Sequence, residues 1–240
     1  LGLDGKLSMR STDVRALIGA SGIPIVDVAD VAAVLDGTVT YADGQYSVAD
    51  LDGRLGGASI KGRLSVTPDG KISAHVDSGR LTLGDVLAAT FIEWNGTGPS
   101  LDSGFRSSLP LGLSGEVWIK PAALAIHSHF EARNAEIGLT AQDGEIRLAL
   151  FAKDADGRDA HVELASSGTG ALRRIEGRVS LPVDLGHQLL LAGGQPVAEG
   201  QGLFDIKFEG EGRSPGGALA AIKGTGSYSF ANFKLLGLSP

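Results

Sequence analysis

The sequence predicts an all-β protein with a few short helices, a many-stranded sheet broken up by glycine. Three observations predict it. Apolar and polar residues alternate with a period of two through most of the chain, as in strands with one face in water. Glycine makes up 36 of the 240 residues, about twice the usual roughly 7%, and follows no collagen period. Scattered glycine between short apolar segments means many turns and therefore many short strands. Aromatic residues are only 5% and there is one Met, so any thick core has to come from Leu, Ile, Val and Ala.

The elements follow in order. Early strands are predicted near Lys6–Arg10, Gly37–Tyr41 and Gln45–Val48. From Ala58 to Val66, Ile60, Leu64 and Val66 share one face with Ala58 and Gly62, against Ser59, Lys61, Arg63 and Ser65. Pro68-Asp69-Gly70 makes a turn, and Ile72, Ala74 and Val76 resume against Lys71, Ser73, His75 and Asp77. Further strands are predicted at Glu116–Lys120, Leu124–Phe130 and Glu136–Ala141. Then Ile146, Leu148, Leu150 and Ala152 alternate with Glu145, Arg147, Ala149 and Phe151. A turn at Asp154 to Gly157 leads to Val162 and Leu164, set against His161 and Glu163. Ile175, Val179 and Leu181 alternate with Arg174, Glu176, Arg178 and Ser180, and Phe204, Ile206 and Phe208 with Asp205, Lys207 and Glu209. The total is about fourteen strands, with boundaries good to a few residues.

Four short segments carry helix signals. Ser11-Thr12-Asp13 caps Val14–Gly19. Gly84-Asp85 precedes Val86–Ala89, and Asp184 precedes Leu185–Ala192. Ser214-Pro215 opens Gly216–Lys223 with Pro at the first helical position. Helices this short need something to dock on. Residues 94–111, rich in Gly, Ser, Pro and Asn, connect a first β module, 1–93, to a second, 112–240, with the sheet continuing from one to the other. The connection is long for a loop, and mobility is expected of it.

The net charge of -7 argues against nucleic acid, whose binding is dominated by Lys and Arg on phosphates. It also leaves no basic patch for an anionic membrane surface. The absence of cysteine excludes disulfides and thiolate zinc sites. No stretch approaches the roughly 18 apolar residues of a membrane span, and no signal peptide is visible. The chain begins and stops beside predicted strands, so it reads as a piece of a longer protein.

Candidate chemistry is thin. His127, His129 and His161 suggest an imidazole site, but no carboxylate stands at ligand spacing, and a solvated polar face accounts for them. Asp154-Ala155-Asp156-Gly157 begins like a calcium loop, yet Arg158 occupies the next ligand position and no glutamate closes it. The glycine pairs at Gly168-Thr169-Gly170, Gly210-Glu211-Gly212 and Gly224-Thr225-Gly226 lack the third glycine of a dinucleotide fingerprint. Asn95-Gly96-Thr97 is a formal sequon in a turn. No nucleophile stands with a base, so the expectation is no enzyme, no cofactor and no metal.

The order of features resembles the AsmA-like family. Lys6 to Pro24 looks like that family's segment of strand, capped helix and Gly-x-Pro. Asp52-Gly53-Arg54-Leu55-Gly56-Gly57-Ala58-Ser59-Ile60-Lys61-Gly62-Arg63-Leu64 is similar to its glycine-pair hairpin, and Thr82-Leu83-Gly84-Asp85-Val86-Leu87 to the helix that follows. Gly210 to Pro215, a short helix, Lys223-Gly224-Thr225-Gly226-Ser227, a strand, then Leu236-Gly237-Leu238 resembles the closing segment. The departures are Pro215-Gly216-Gly217 in the last helix and the long connection.

The resemblance implies a bridge-like lipid transfer protein of the Gram-negative periplasm, anchored to the inner membrane in its full-length form. It implies a long curved antiparallel sheet forming an open apolar trough along which phospholipid or another lipid moves, with envelope proteins meeting the sheet ends. The lining would then be Ile60, Leu64, Val66, Ile72, Val76, Ile146, Leu148, Leu150, Val162, Leu164, Ile175, Val179, Phe204, Ile206 and Phe208. The alternative is a closed β-sandwich or barrel, a structural or assembly module for outer-membrane proteins in which the same residues form a sealed core.

Overall fold

The computed structural model describes residues 2–12, 32–93, 100–109, 113–127, 130–154, 156–184 and 197–236. They form one 12-stranded sheet whose strand order follows the chain. The strands are β1 (Leu3–Ser11), β2 (Ala33–Ala42), β3 (Gln45–Leu55), β4 (Ala58–Val66), β5 (Lys71–Thr82), β6 (Ser114–His127), β7 (Phe130–Gln142), β8 (Glu145–Lys153), β9 (Asp159–Ser167), β10 (Arg173–Asp184), β11 (Ala198–Gly212) and β12 (Lys223–Leu235). The sheet does not close on itself: β1 and β12 pair on one side only. The long, curved, open all-β sheet is therefore the observed fold, and a barrel is not.

Turn chemistry sets the hairpins. Asp43-Gly44 and Asp143-Gly144 both hold positive φ at two successive residues, the backbone that a two-residue hairpin matched to strand twist requires. Every neighbouring pair is antiparallel except β5 and β6, which run parallel from Lys71↔Ser114 to Thr82↔Ala125. A parallel step needs a crossover. It is made by helix α1 (Leu83–Phe91) and the stretch from Ile92 to Leu113, so the expected connection between modules falls on this crossover. Thr82 caps α1, its Oγ1 accepting from the Asp85 N–H at 3.0 Å. The second helix, α2 (Pro215–Ala220), is capped by Ser214 Oγ, which accepts from the Gly217 N–H at 3.2 Å. The predicted helices Val14–Gly19 and Leu185–Ala192 lie outside the described residues, as do His129, the sequon at Asn95, and Gly237 and Leu238.

Two predicted strands, Glu116–Lys120 and Leu124–Phe130, are mostly one strand, β6. Pro121 lies inside it. Pro has no N–H to give to a ladder, and pairing with β7 lapses between Ile119↔Ile137 and Leu124↔Ala132. Strict alternation also fails at three bulges. Asp50, Asn134 and Asn232 have φ of 52, 50 and 57°, each where the register shifts. Each extra residue changes the parity of its strand. Ala132 and Ala135 are consequently both buried in the same core cluster, although they stand an odd number of residues apart.

Registry makes one face continuous. Leu64, Ala74, Val117, Leu139, Leu148, Leu164, Gly177, Phe208 and Gly224 stand opposite one another from β4 to β12. At about 4.8 Å per strand, the twelve strands make a wall of roughly 53 Å.

Candidate functional site

All fifteen predicted lining residues fall on that one face, because the registry carries the same parity from β4 to β11. They do not share one environment. The middle of the face is covered. Val86 and Phe91 of α1, Phe105 and Leu109 of the crossover, and Ala218 of α2 form one buried cluster with the strands beneath. Ile146, Leu148, Leu150 and Val162 are 0, 1, 1 and 6% exposed there. These four are core, not lining: the crossover chain lies over them. Ile72, Leu164, Ile175 and Val179 are half-buried at the margin of the same cluster.

The covering is built, not draped. Glu93 N–H donates to Gly104 O at 2.9 Å, and Arg106 N–H donates to Phe91 O at 2.9 Å. Phe105, Arg106 and Leu109 are buried. Residues 100–109 of this connection are packed against the sheet. They pack because Phe105 and Leu109 supply the apolar surface that β6 to β9 would otherwise leave to water. Helix α2 joins from the other side, its Gly216 N–H donating to Leu101 O at 2.7 Å. Gly212 and Gly210 on β11 let it sit down: a Cβ at Gly212 would lie 2.3 Å from Ala218 N, and one at Gly210 2.5 Å from Ala218 O.

Among the described residues, the helices and crossover that cover the centre do not extend over either flank. Ile60, Leu64, Val66 and Val76 are half-buried on β4 and β5, outside the central cluster. On the far flank, Phe204 packs on Val183 and Ala198, Phe208 is half-buried, and Ile206 is 41% exposed. Strand β12 adds residues that period-two reading of the sequence did not single out. Tyr228, Phe230 and Phe233 are 68, 42 and 50% exposed. With Phe204 they form a chain of ring contacts, centroids 5.4 to 6.5 Å apart. The bulge at Asn232 brings Phe233 beside Phe230, which is why the spacing alone does not reveal the cluster.

The opposite face is charged and largely self-paired. Lys61 meets Asp52 at 3.1 Å, Arg174 meets Glu209 at 2.5 Å and Arg178 meets Asp205 at 2.7 Å, each across neighbouring strands. The Arg178 hydrogen bond holds the Asp205 carboxyl below the usual range. An open groove of about 850 Å³ borders this face, its lining including Trp118, Gly138, Glu163, Arg174 and Lys207. Trp118 lies over Gly138, where a Cβ would come within 2.8 Å of the indole.

The predicted chemical candidates are accounted for locally. Asp154 uses both oxygens on its own turn: Oδ1 accepts from the N–H of Asp156 and of Arg158 at 2.9 and 2.8 Å, and Oδ2 from Arg158 Nε at 2.6 Å. All three bonds stay within the turn itself. His161 stacks on Phe151 with centroids 4.5 Å apart, and its Nε2 lies 3.3 Å from Glu163. His127 ends β6 and His161 is on β9, so two strands and about 14 Å separate their backbones. Among the described residues no group of three His, Cys, Asp or Glu could hold a metal ion, and no helix is long and apolar enough to cross a membrane. No family model, no curated protein and no solved structure matches the chain.

Proposed function

We propose that the protein binds lipid acyl chains on the uncovered flanks of its apolar face, as a periplasmic segment of an AsmA-like envelope protein that moves or holds phospholipid between the inner and outer membranes. The single observation that supports this reading is the exposed aromatic and aliphatic shelf of β11 and β12, formed by Ile206, Tyr228, Phe230 and Phe233 around the half-buried Phe204. Large contiguous apolar surface on a soluble domain marks an interaction site. Burying eight methylenes of an acyl chain there contributes about 6 kcal/mol, at roughly 0.8 kcal/mol each. No side chain takes part in bond chemistry. Specificity for the headgroup would come from polar groups at the strand ends.

The test is protein purified from a bacterial host, examined by native mass spectrometry and by solvent extraction. Bound phospholipid, and uptake of a fluorescent phospholipid that Ile206→Asp abolishes, are expected. A lipid-free protein that takes up no probe would overturn the proposal. A second reading, a structural module for outer-membrane assembly, is favoured by the sealed centre under α1 and residues 100–109. It expects no lipid at either flank.

A further inference from the structure

We infer that the charged face of the sheet binds an extended oligosaccharide of no net charge, in a groove that crosses β6 to β10 from Trp118 to Arg178. This site lies on the side of the sheet opposite the apolar face and is independent of lipid binding.

The charged face is hollowed. The groove of about 850 Å³ beside Trp118 shares Thr140 and Arg147 with a second hollow of about 670 Å³ that reaches Lys71, so the two run together. Small residues make the floor, Gly138, Thr140, Ala149 and Ala165. Glycine and alanine are uncommon choices in strands, and here they leave space between longer side chains. Trp118, Gly138, Ala149, Glu163, Arg178 and Lys207 form one row across β6 to β11, each opposite the next. Strands β6 to β10 are hydrogen-bonded on both sides, so the groove belongs to the interior of the sheet and not to its edges.

Charge restricts the ligand first. Among the described residues, the two linings together hold six Lys and Arg against six Asp and Glu. Neither a polyanion nor a polycation is favoured by such a balance. The charges are also held in place by one another. Arg174 spans Glu176 at 2.7 Å and Glu209 at 2.5 Å, and Arg178 meets Asp205 at 2.7 Å. Planar groups fixed in this way offer paired donors and acceptors to neighbouring hydroxyls. The backbone restricts the ligand next. A peptide that adds as a strand needs a sheet edge, and the strands under the groove are already paired, so recognition falls to side chains.

Trp118 supplies the apolar part. It is half-buried, and its six-membered ring rests on Gly138, where a Cβ would come within 2.8 to 3.2 Å of three ring carbons. The missing Cβ thereby positions the indole at the border of the groove. An aromatic surface beside oriented polar groups suits a sugar ring, whose C–H face is apolar and whose rim carries hydroxyls. Four strand spacings separate Trp118 from Arg178, about 19 Å, which is room for about four sugar units.

Cellohexaose, chitohexaose and maltohexaose, neutral chains of different shape, test this on the full chain. The sequence has two Trp, so Trp94→Phe leaves Trp118 as the sole indole reporter. At least one of the three sugars is expected to shift Trp118 emission saturably, with the same dissociation constant by calorimetry on the unsubstituted protein. Trp118→Ala should weaken that binding by about tenfold or more. Arg147 is exposed at the junction of the two hollows. Arg147→Gln should therefore weaken binding by roughly three- to tenfold with an unchanged melting temperature, and it keeps the test decisive if Trp118→Ala does not fold. Ile206→Asp, on the apolar face, should leave sugar binding unchanged, which separates this site from lipid uptake. Three results would each overturn the inference: no saturable change with any of the three sugars up to about 5 mM, tighter binding of a sulfated heparin hexasaccharide, or full affinity in Arg147→Gln or in a folded Trp118→Ala.

Discussion

Leu148 and Ile206 occupy equivalent positions in the alternation of their strands, yet the structure puts them in different surroundings, and truncating each should show it. Leu148 is 1% exposed beneath the crossover, and Ile206 is 41% exposed on the open flank. Leu148→Ala removes three carbons, about 2.4 kcal/mol at roughly 0.8 per methylene. It also leaves a hole the covered site cannot fully collapse into. About 40 Å³ of residual cavity at roughly 24 cal/mol per Å³ adds about 1 kcal/mol, for a total of about 3.5 kcal/mol. Ile206→Ala opens no cavity, because water already reaches that face, and it should cost about 1 kcal/mol. Urea titration followed by circular dichroism reads the difference. With a slope of about 3 kcal/mol per molar, the midpoint should fall by about 1.2 M for Leu148→Ala and about 0.3 M for Ile206→Ala. Equal shifts would refute the reasoning, since an apolar face open from end to end makes both residues surface residues.

Three further outcomes follow from other parts of the fold. A Cβ at Gly177 would come within 2.3 Å of Phe208 Cζ and 2.7 Å of Leu164 Cδ2, so Gly177→Ala should cost about 1–3 kcal/mol in thermal unfolding, partly recovered by Phe208→Leu. Arg173 is 2% exposed and donates to Ser166 Oγ, Ser166 O, Gly168 O and Gly144 O. It ties two turns together, and Arg173→Met should cost about 2–4 kcal/mol by orphaning those acceptors. Burial pushes the Asp154 carboxyl up, but the Arg158 N–H and guanidinium outweigh it and leave it below 3.8. Because this folded-state pKa is depressed, its contribution is complete above the unfolded value near 4 and disappears as pH falls through the folded value. The stability of Asp154→Asn should therefore depend less on pH below 4 than that of the wild type, as urea midpoints between pH 2 and 6 would record.

Much of this was legible in the sequence. Ile146 to Ala152 alternates without fault and is found as a strand with one face wholly buried. Ser214-Pro215 opens a helix as its capping chemistry requires. Alternation assigns faces correctly wherever parity is unbroken. It cannot see Asp50, Asn134 or Asn232, because a bulge depends on one residue adopting a left-handed backbone, which Asp and Asn permit without compelling. For the same reason the Phe230–Phe233 contact was hidden. Nor could periodicity show that residues 100–109 would lie on the apolar face. Phe105 and Leu109 are isolated apolar residues in a polar stretch, and only the three-dimensional path of the crossover gives them something to bury against.

The strand order has a kinetic consequence. Within a meander a strand finds its partner across a short turn, so β2 to β5 and β6 to β10 can each zip up from any hairpin, as a repeat array does. The step from β5 to β6 must close a loop of some thirty residues and lay α1 and residues 100–109 onto a ladder already formed. That docking is the non-local event of folding. Until it occurs, Ile146, Leu148 and Leu150 face water, and two half-sheets with bare apolar faces are the species most exposed to misassembly.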